Sequence, residues 1–278
     1  MSRAERVAET APAFAALLHY LIDTTETPES YGGVSQSEAD QKRKGKYAEH
    51  SMPIYNGRAI ADGLSLEREG FVLVKHDTQV KNFYDEPEVR AVYYKETEEL
   101  VKRISGAKRV LVFDHTLRAA DSAIREQNQV SSPVRNVHND YTEWSGPQRV
   151  RDLLPEEAEE LISRRFAVVQ TWRPINKPVQ NEHLAIADAQ SIGTSELIPS
   201  ARIYPNRRGE VYHSTYNPAH RWYYFPNMQR NEAMVFKCYD SLTDGRARWT
   251  AHCAFDDPTA PANVPPRESI EMRTLAFF

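Results

Sequence analysis

The stretch Val134-Arg135-Asn136-Val137-His138-Asn139-Asp140-Tyr141 reads as a short β-strand, and it opens a series of such runs through the second half of the chain. After it come Ala167 to Trp172, His183 to Ala187, Val211 to Tyr216, Arg221 to Phe225, Ala233 to Tyr239, Arg248 to Ala254 and Ser269 to Phe278. Most are rich in β-branched or aromatic residues, and turn residues separate them. One helix, expected over Pro155 to Arg165 with its proline in the first turn and acids behind it, interrupts them. Many short strands with little helix predict a mainly β fold with flanking helices, either a double-sheet jelly roll or a barrel.

Working back toward the N-terminus, Val110 to Thr116 reads as a strand and Glu88 to Ile104 as a helix ended by Gly106. Phe71 to Lys75 and Val80 to Tyr84 read as short strands. In Ala4 to Asp23 the spacing of Phe14, Leu17, Leu18 and Leu21 lines one helix face, so a helix packed on the rest is expected. Thr24 to Met52 is polar, with Gly32-Gly33 and a basic run of Lys42, Arg43, Lys44 and Lys46 that reads as a solvated loop rather than a phosphate grip. The expected organisation is an N-terminal scaffold over residues 1–125 packed on a core over residues 126–278, as one continuous domain.

Composition narrows the function. The chain has 278 residues, 40% apolar and 27% charged, enough to bury a core. Thirty-five Lys and Arg against 39 Asp and Glu give a net charge of -4, without the basic excess of a nucleic-acid binder. No apolar stretch approaches membrane-spanning length and the first residues are too polar for a signal peptide, so a cytoplasmic protein with no membrane partner is expected. Two cysteines, Cys238 and Cys253, cannot make a disulfide framework or a four-thiolate zinc site, so a metal would need histidine and carboxylate ligands. The 11 glycines never fall into a nucleotide-binding spacing.

His138 and Asp140 are two apart on an expected strand, so an imidazole and a carboxylate project to the same side while Asn139 points away. The pattern alone is weak, since a strand with a hydrogen-bonded edge histidine carries it too. His252, in Thr250 to Phe255, is the expected second imidazole, with His213 as the alternative. Two histidines and one carboxylate form the facial arrangement of non-haem iron(II) oxygenases, with three positions left open. Downstream, Arg267 and Ser269 are also two apart, on one face of the last strand, where both can donate to a single carboxylate. An ordinary surface ion pair would account for Arg267 as well.

His138-Asn139-Asp140, Trp172-Arg173-Pro174-Ile175, Phe236 to Ser241, Thr250 to Phe255 and Pro266 to Arg273, in that order, resemble the AsaB/CmcJ-like family of iron(II)/2-oxoglutarate-dependent hydroxylases and desaturases of microbial secondary metabolism. The resemblance covers roughly residues 70 to 278. It implies a double-stranded β-helix (jelly roll, cupin-like) core, and iron(II), 2-oxoglutarate and O2 as cofactor and cosubstrates. It also implies His138, Asp140 and His252 as metal ligands. Arg267 and Ser269 are similar to the pair that holds the distal carboxylate of 2-oxoglutarate in related oxygenases. Because Asp256 to Pro266 lengthens the interval after His252, Arg273 is the fallback anchor.

The activity implied is hydrogen abstraction from a small-molecule natural-product or amino-acid-derived substrate, giving hydroxylation, desaturation or ring formation with release of succinate and CO2. Trp172, Arg173, Tyr212, Tyr216, Arg221 and Tyr224 are candidate substrate-binding residues, although aromatics at strand spacing also serve as core. A homodimer is a further expectation, because uncovered sheet edges invite pairing. Two alternatives stand beside the oxygenase: a cofactor-independent metallo-β-barrel dioxygenase or lyase, which has no use for Arg267 and Ser269, and a non-catalytic barrel that binds without reacting.

Overall fold

The computed structural model describes residues 12–22, 24–31, 42 and 44–278. Gly32-Gly33, Arg43 and most of Ala4 to Phe14 lie outside the described residues. Among the described residues, fourteen strands form two sheets packed face to face. The larger contains β1 (Phe14–Leu21), β2 (Glu29–Tyr31), β3 (Tyr47–Asn56), β6 (His138–Asn139), β8 (His183–Ala187), β9 (Leu197–Ile203), β10 (Arg208–Ser214), β11 (Trp222–Tyr224) and β13 (His252–Phe255), in the order β1-β3-β11-β8-β13-β6-β10-β9-β2. The smaller is β4 (Phe71–Lys75), β12 (Glu232–Asp240), β7 (Phe166–Pro174), β14 (Glu268–Phe277) and β5 (Arg109–Ala119), in the order β4-β12-β7-β14-β5. This is the jelly roll that the strand pattern predicts. Strands from the first 125 residues enter both sheets.

The central strands of the smaller sheet are buried on both faces, and their sequences show why. All nine residues of β7 are buried, with Phe166, Val168 and Trp172 facing the other sheet and Ala167 and Val169 facing outward. On β12, Met234, Phe236 and Cys238 face inward while Ala233 and Val235 face outward. The outward face is covered by α1 (Tyr94–Ser105) through Leu100, Val101 and Ile104. Helical turns over 86–93 lead into α1, and Gly106 ends it in the left-handed conformation (φ 77°), its N–H bonded to the Lys102 carbonyl.

Three expectations change. Phe14–Leu21 is a strand paired antiparallel with β3, not a helix, and it buries alternate residues Ala16, Leu18 and Tyr20. Val80 to Tyr84 is not a strand: its apolar residues Val80 and Phe83 are buried against Val89 and Tyr93. The expected helix over Pro155 to Arg165 shortens to α4 (Ala158–Ile162), and α2 (Ser122–Asn128) and α3 (Ser145–Leu153) were not anticipated.

Candidate active site

The short strand β6 lies between β13 and β10, so His138 is directly opposite His252 on one side and His213 on the other. Only two residues of the expected strand Val134 to Tyr141 pair regularly, and Asn139 fixes them. Its buried amide donates to the carbonyls of Tyr141 (2.7 Å) and Cys238 (2.9 Å), and its Oδ1 accepts from the Thr250 N–H (3.1 Å). Asn139 therefore ties β6 to the chain that leads into β13. Thr250 in turn reaches the Gly70 carbonyl through its hydroxyl (3.2 Å). Gly70 has φ 87°, and any side chain there would collide with Thr250.

His138 and His252 are oriented alike. Nδ1 of His138 donates to the Asn136 carbonyl (2.8 Å) and Nδ1 of His252 to the Thr250 carbonyl (3.0 Å). A carbonyl only accepts, so in both rings Nδ1 carries a proton and Nε2 is the nitrogen left to face the cluster. The Nε2 of His252 is buried and has no hydrogen-bond partner. Asp140 divides its oxygens: Oδ2 accepts from the Gln170 amide (2.7 Å) and Arg273 Nε (3.3 Å), whereas Oδ1 lies 3.6 Å from His138 Nε2. One ligand atom from each of His138, Asp140 and His252 lies within 4.8 Å of the others, a set that could hold a metal ion.

Electrostatics keep His138 and Asp140 ready to coordinate. Burial, reinforced by the neighbouring His252, pushes the His138 imidazole down to about 3, so it is neutral at neutral pH. Burial alone would raise the Asp140 carboxyl, but Arg273, the two imidazoles and the Gln170 amide outweigh it and hold it well below the usual carboxylate range. A neutral His138 imidazole beside an ionised Asp140 carboxylate suits a divalent, oxygen-reactive metal such as iron(II). The orphaned Nε2 of His252 is the kind of buried polar atom that a ligand satisfies.

The inward row of β14 carries the charges beside this cluster. Arg273 is ringed by carboxylates, with Asp140 and Asp114 each at 3.3 Å and Glu271 in direct contact. Arg267 is the opposite case: 4% exposed, it donates to Ser269 Oγ (3.2 Å) and the Glu182 carbonyl (2.8 Å), lies over the Trp172 ring at 4.8 Å, and pairs with no carboxylate among the described residues. Burial, with the Arg118 guanidinium adding to it, pushes Arg267 down to about 9. Arg118 stands opposite Ser269 in the β5–β14 register. A buried cation without a counterion is a site for an anionic ligand.

A cavity of about 620 Å³ opens beside His138, Asp140 and Arg273 and extends to the β9–β10 hairpin. None of the six residues expected to bind substrate lines it. Trp172 packs beneath Arg267, and Arg173 donates to the His76 carbonyl on the outward face of β7. Tyr212 packs on Trp249 and Tyr216 stacks on His50. Arg221 pairs with Asp188 at 2.8 Å, and Tyr224 packs on Phe255. His213 does line the cavity, with its Nδ1 against the Tyr47 hydroxyl. Gln170, Asn139 and Arg118 were missed from the sequence. A Gln amid apolar β7 was the available signal, because a buried amide needs partners.

Residues 18–277 match a protein family described as "Oxidoreductase/YMDC permease-like domain". Among the described residues no helix is long and apolar enough to cross a membrane. The chain is 34% identical over 257 residues to hydroxylase/desaturase efuI of Hormonema carpetanum, covering 84% of this chain and 85% of that protein. It is 38% identical over 136 residues to hydroxylase/desaturase asaB of Aspergillus flavus, covering 44% of this chain and 60% of that one. The solved structure of the iron and alpha-ketoglutarate-dependent endoperoxidase NvfI superposes with a TM-score of 0.83 at 26% identity, over 95% of this chain and 97% of that one. These likenesses, on a fold of two packed sheets, make the chain a non-haem iron(II)/2-oxoglutarate-dependent dioxygenase. Within that class, the chain belongs to the AsaB-like family of hydroxylases and desaturases.

Proposed function

We propose that His138, Asp140 and His252 hold one iron(II) ion, and that Arg267 with Ser269 holds the distal carboxylate of 2-oxoglutarate. The enzyme then takes hydrogen from a small-molecule natural-product or amino-acid-derived substrate, giving hydroxylation, desaturation or ring formation with release of succinate and CO2. The observation that carries the ligand assignment is the buried, partnerless Nε2 of His252, gathered with His138 and Asp140 while Nδ1 of both imidazoles and Oδ2 of the carboxylate are held by hydrogen bonds. Iron(II) with 2-oxoglutarate and O2 supplies an oxidant able to cleave an unactivated C–H bond.

The protein's own part is positioning. The Nδ1 bonds fix both imidazole planes, Gln170 and Arg273 fix the carboxylate, and Arg267 offers a planar pair of donors to a dicarboxylate whose far end must be buried. Arg273 serves this second role poorly, because three carboxylates already surround it. The test is anaerobic titration of iron(II) and then 2-oxoglutarate, following the metal-to-ligand charge-transfer band, with succinate release measured on admitting O2. His138→Ala, Asp140→Ala and His252→Ala are each expected to remain folded, lose the band and stop succinate release. A variant that kept near-normal succinate release would remove that residue from the ligand set, and His213 would be the next to replace.

A further inference from the structure

The charges around the cavity do not balance locally. Its carboxylates are all engaged: Glu29 by Lys44 (3.2 Å) and Tyr31 (2.8 Å), Asp114 and Asp140 by Arg273, Asp152 by Arg149 (4.0 Å) and Glu210 by the Thr142 hydroxyl. Four lining arginines, Arg118, Arg202, Arg207 and Arg208, have no carboxylate within ion-pair distance among the described residues. Arg118 belongs to the cosubstrate end by its register with Ser269. The other three are exposed at the far end, Arg202 on β9, Arg207 in the turn and Arg208 at the start of β10.

Two of them are built into one feature. Arg202 donates from Nε to the Tyr204 hydroxyl at 2.9 Å, and the Arg207 guanidinium lies over the Tyr204 ring at 3.9 Å, so one tyrosine holds both. Opposite Arg202 in the hairpin register is Gly209. A Cβ on Gly209 would stand 3.5 Å from Arg207 Nη1 and 3.8 Å from Arg202 Cβ, in van der Waals contact with both, so the glycine leaves a gap the size of one small group between the two. Gly209 has the same strand parity as Val211 and His213, which line the cavity. Four residues at a rise of about 3.3 Å put the Gly209 gap about 13 Å along β10 from His213, the neighbour of His138.

We propose that the substrate is an acid, and that Arg202 and Arg207 bind its carboxylate in the Gly209 gap about 13 Å along the strand from the metal end. This deepens the oxygenase reading and rests on it for the word substrate. A planar carboxylate matches guanidinium donors already held in place by Tyr204, so little side-chain freedom is lost on binding. The arrangement also sets a length: the carbon that reacts and the carboxylate are separated by roughly the span from His138 to the hairpin. Small acids with the reactive C–H close to the carboxylate are therefore excluded as good substrates.

The probes are 1-naphthylacetate and its methyl ester, titrated by fluorescence into the full-length, metal-free protein and again into the anaerobic iron(II)/2-oxoglutarate complex. The acid is expected to bind about tenfold tighter than the ester in both, with salt weakening only the acid. In Arg202→Gln/Arg207→Gln the preference is expected to fall to about twofold or less, and Gly209→Val, which keeps both charges but fills the gap, is expected to weaken the acid as well. Equal affinity for acid and ester, no binding of either, or a preference that survives in the double variant would overturn the proposal. Failure of the oxygenase reading shows separately, as absence of the charge-transfer band in the wild-type protein, and leaves the metal-free comparison intact.

Discussion

Arg273 meets Asp140 on the side of the carboxylate turned away from His138: Nε is 3.3 Å from Oδ2, while Oδ1 faces His138 Nε2 at 3.6 Å. One cation thereby keeps the carboxylate ionised and turns its other oxygen toward the imidazoles. Arg273→Met removes that cation, lets the Asp140 carboxyl rise, and leaves a proton competing with the metal. Iron(II) affinity is expected to fall about ten- to a hundredfold, and further as pH is lowered. Anaerobic metal titration at two pH values checks it, and an unchanged affinity would show that Arg273 is only a structural ion pair.

Arg267 lies just before the other end of β14, and on the proposed assignment its loss is expected to have the complementary signature. Arg267→Ala should weaken 2-oxoglutarate by about 2–3 kcal/mol, with metal affinity nearly unchanged, because it deletes charge-assisted hydrogen bonds to a buried carboxylate. Ser269→Ala should cost less, and Arg267→Lys should recover only part, since an ammonium cannot present two parallel donors. The charge-transfer titration separates the two arginines. Tight binding by Arg267→Ala together with weak binding by Arg273→Ala would reverse their roles.

Legibility in the sequence followed how local each signal was. The two-residue period of His138 and Asp140 and of Arg267 and Ser269 survives folding, because neighbouring residues alone decide it. What lies across the sheet from them was not legible. Gln170 reaches Asp140 from the opposite sheet, Arg118 meets Ser269 only through a register between β5 and β14, and the cavity wall comes from a hairpin that pairs far along the chain. The aromatic candidates failed to line the cavity for the same reason: Tyr212 lies on the β10 face opposite Val211 and His213, a distinction only the sheet's facing decides. At the N-terminus two periods fit one sequence. Phe14, Leu17, Leu18 and Leu21 satisfy a helical stripe, but Ala16, Leu18 and Tyr20 satisfy a strand, and the partner β3 selects the strand.

His183 should give the metal-free protein an acid-sensitive fold. It is 3% exposed among Tyr224 and Phe255, and burial pushes it down to about 4 despite the nearby Asp257 carboxylate at 3.5 Å. Its pKa is lower in the folded state than in the unfolded chain, about 6.5. Above that value both states are neutral and nothing is lost. As pH falls below it, the unfolded chain takes up a proton that the folded protein resists, so stability declines down to about 4. Between neutral pH and pH about 5 this one group should account for roughly 2 kcal/mol. Urea midpoints for wild type and His183→Gln check it: the variant's stability should fall less steeply over that window, and parallel curves would assign the acid sensitivity elsewhere.

The strand at the N-terminus can be told from a helix by two leucines that the helical stripe treats alike. Leu17 is 54% exposed and Leu18 is fully buried beside Met52, Ile54 and Trp222. Leu18→Ala is expected to cost about 2–4 kcal/mol and Leu17→Ala less than about 0.5. Tyr20, next on the inward row, extends the test to polar atoms. Its hydroxyl accepts from Trp222 Nε1 (2.8 Å) and donates to His220 Nδ1 (3.1 Å), whose Nε2 donates to Glu196 (2.8 Å). Tyr20→Phe keeps the ring but strands a buried N–H and a buried ring nitrogen, at a cost of about 2–4 kcal/mol. These residues lie outside the cavity lining, so 2-oxoglutarate binding should not change in any of the three variants. Equal costs for the two leucines in urea unfolding would restore the helix.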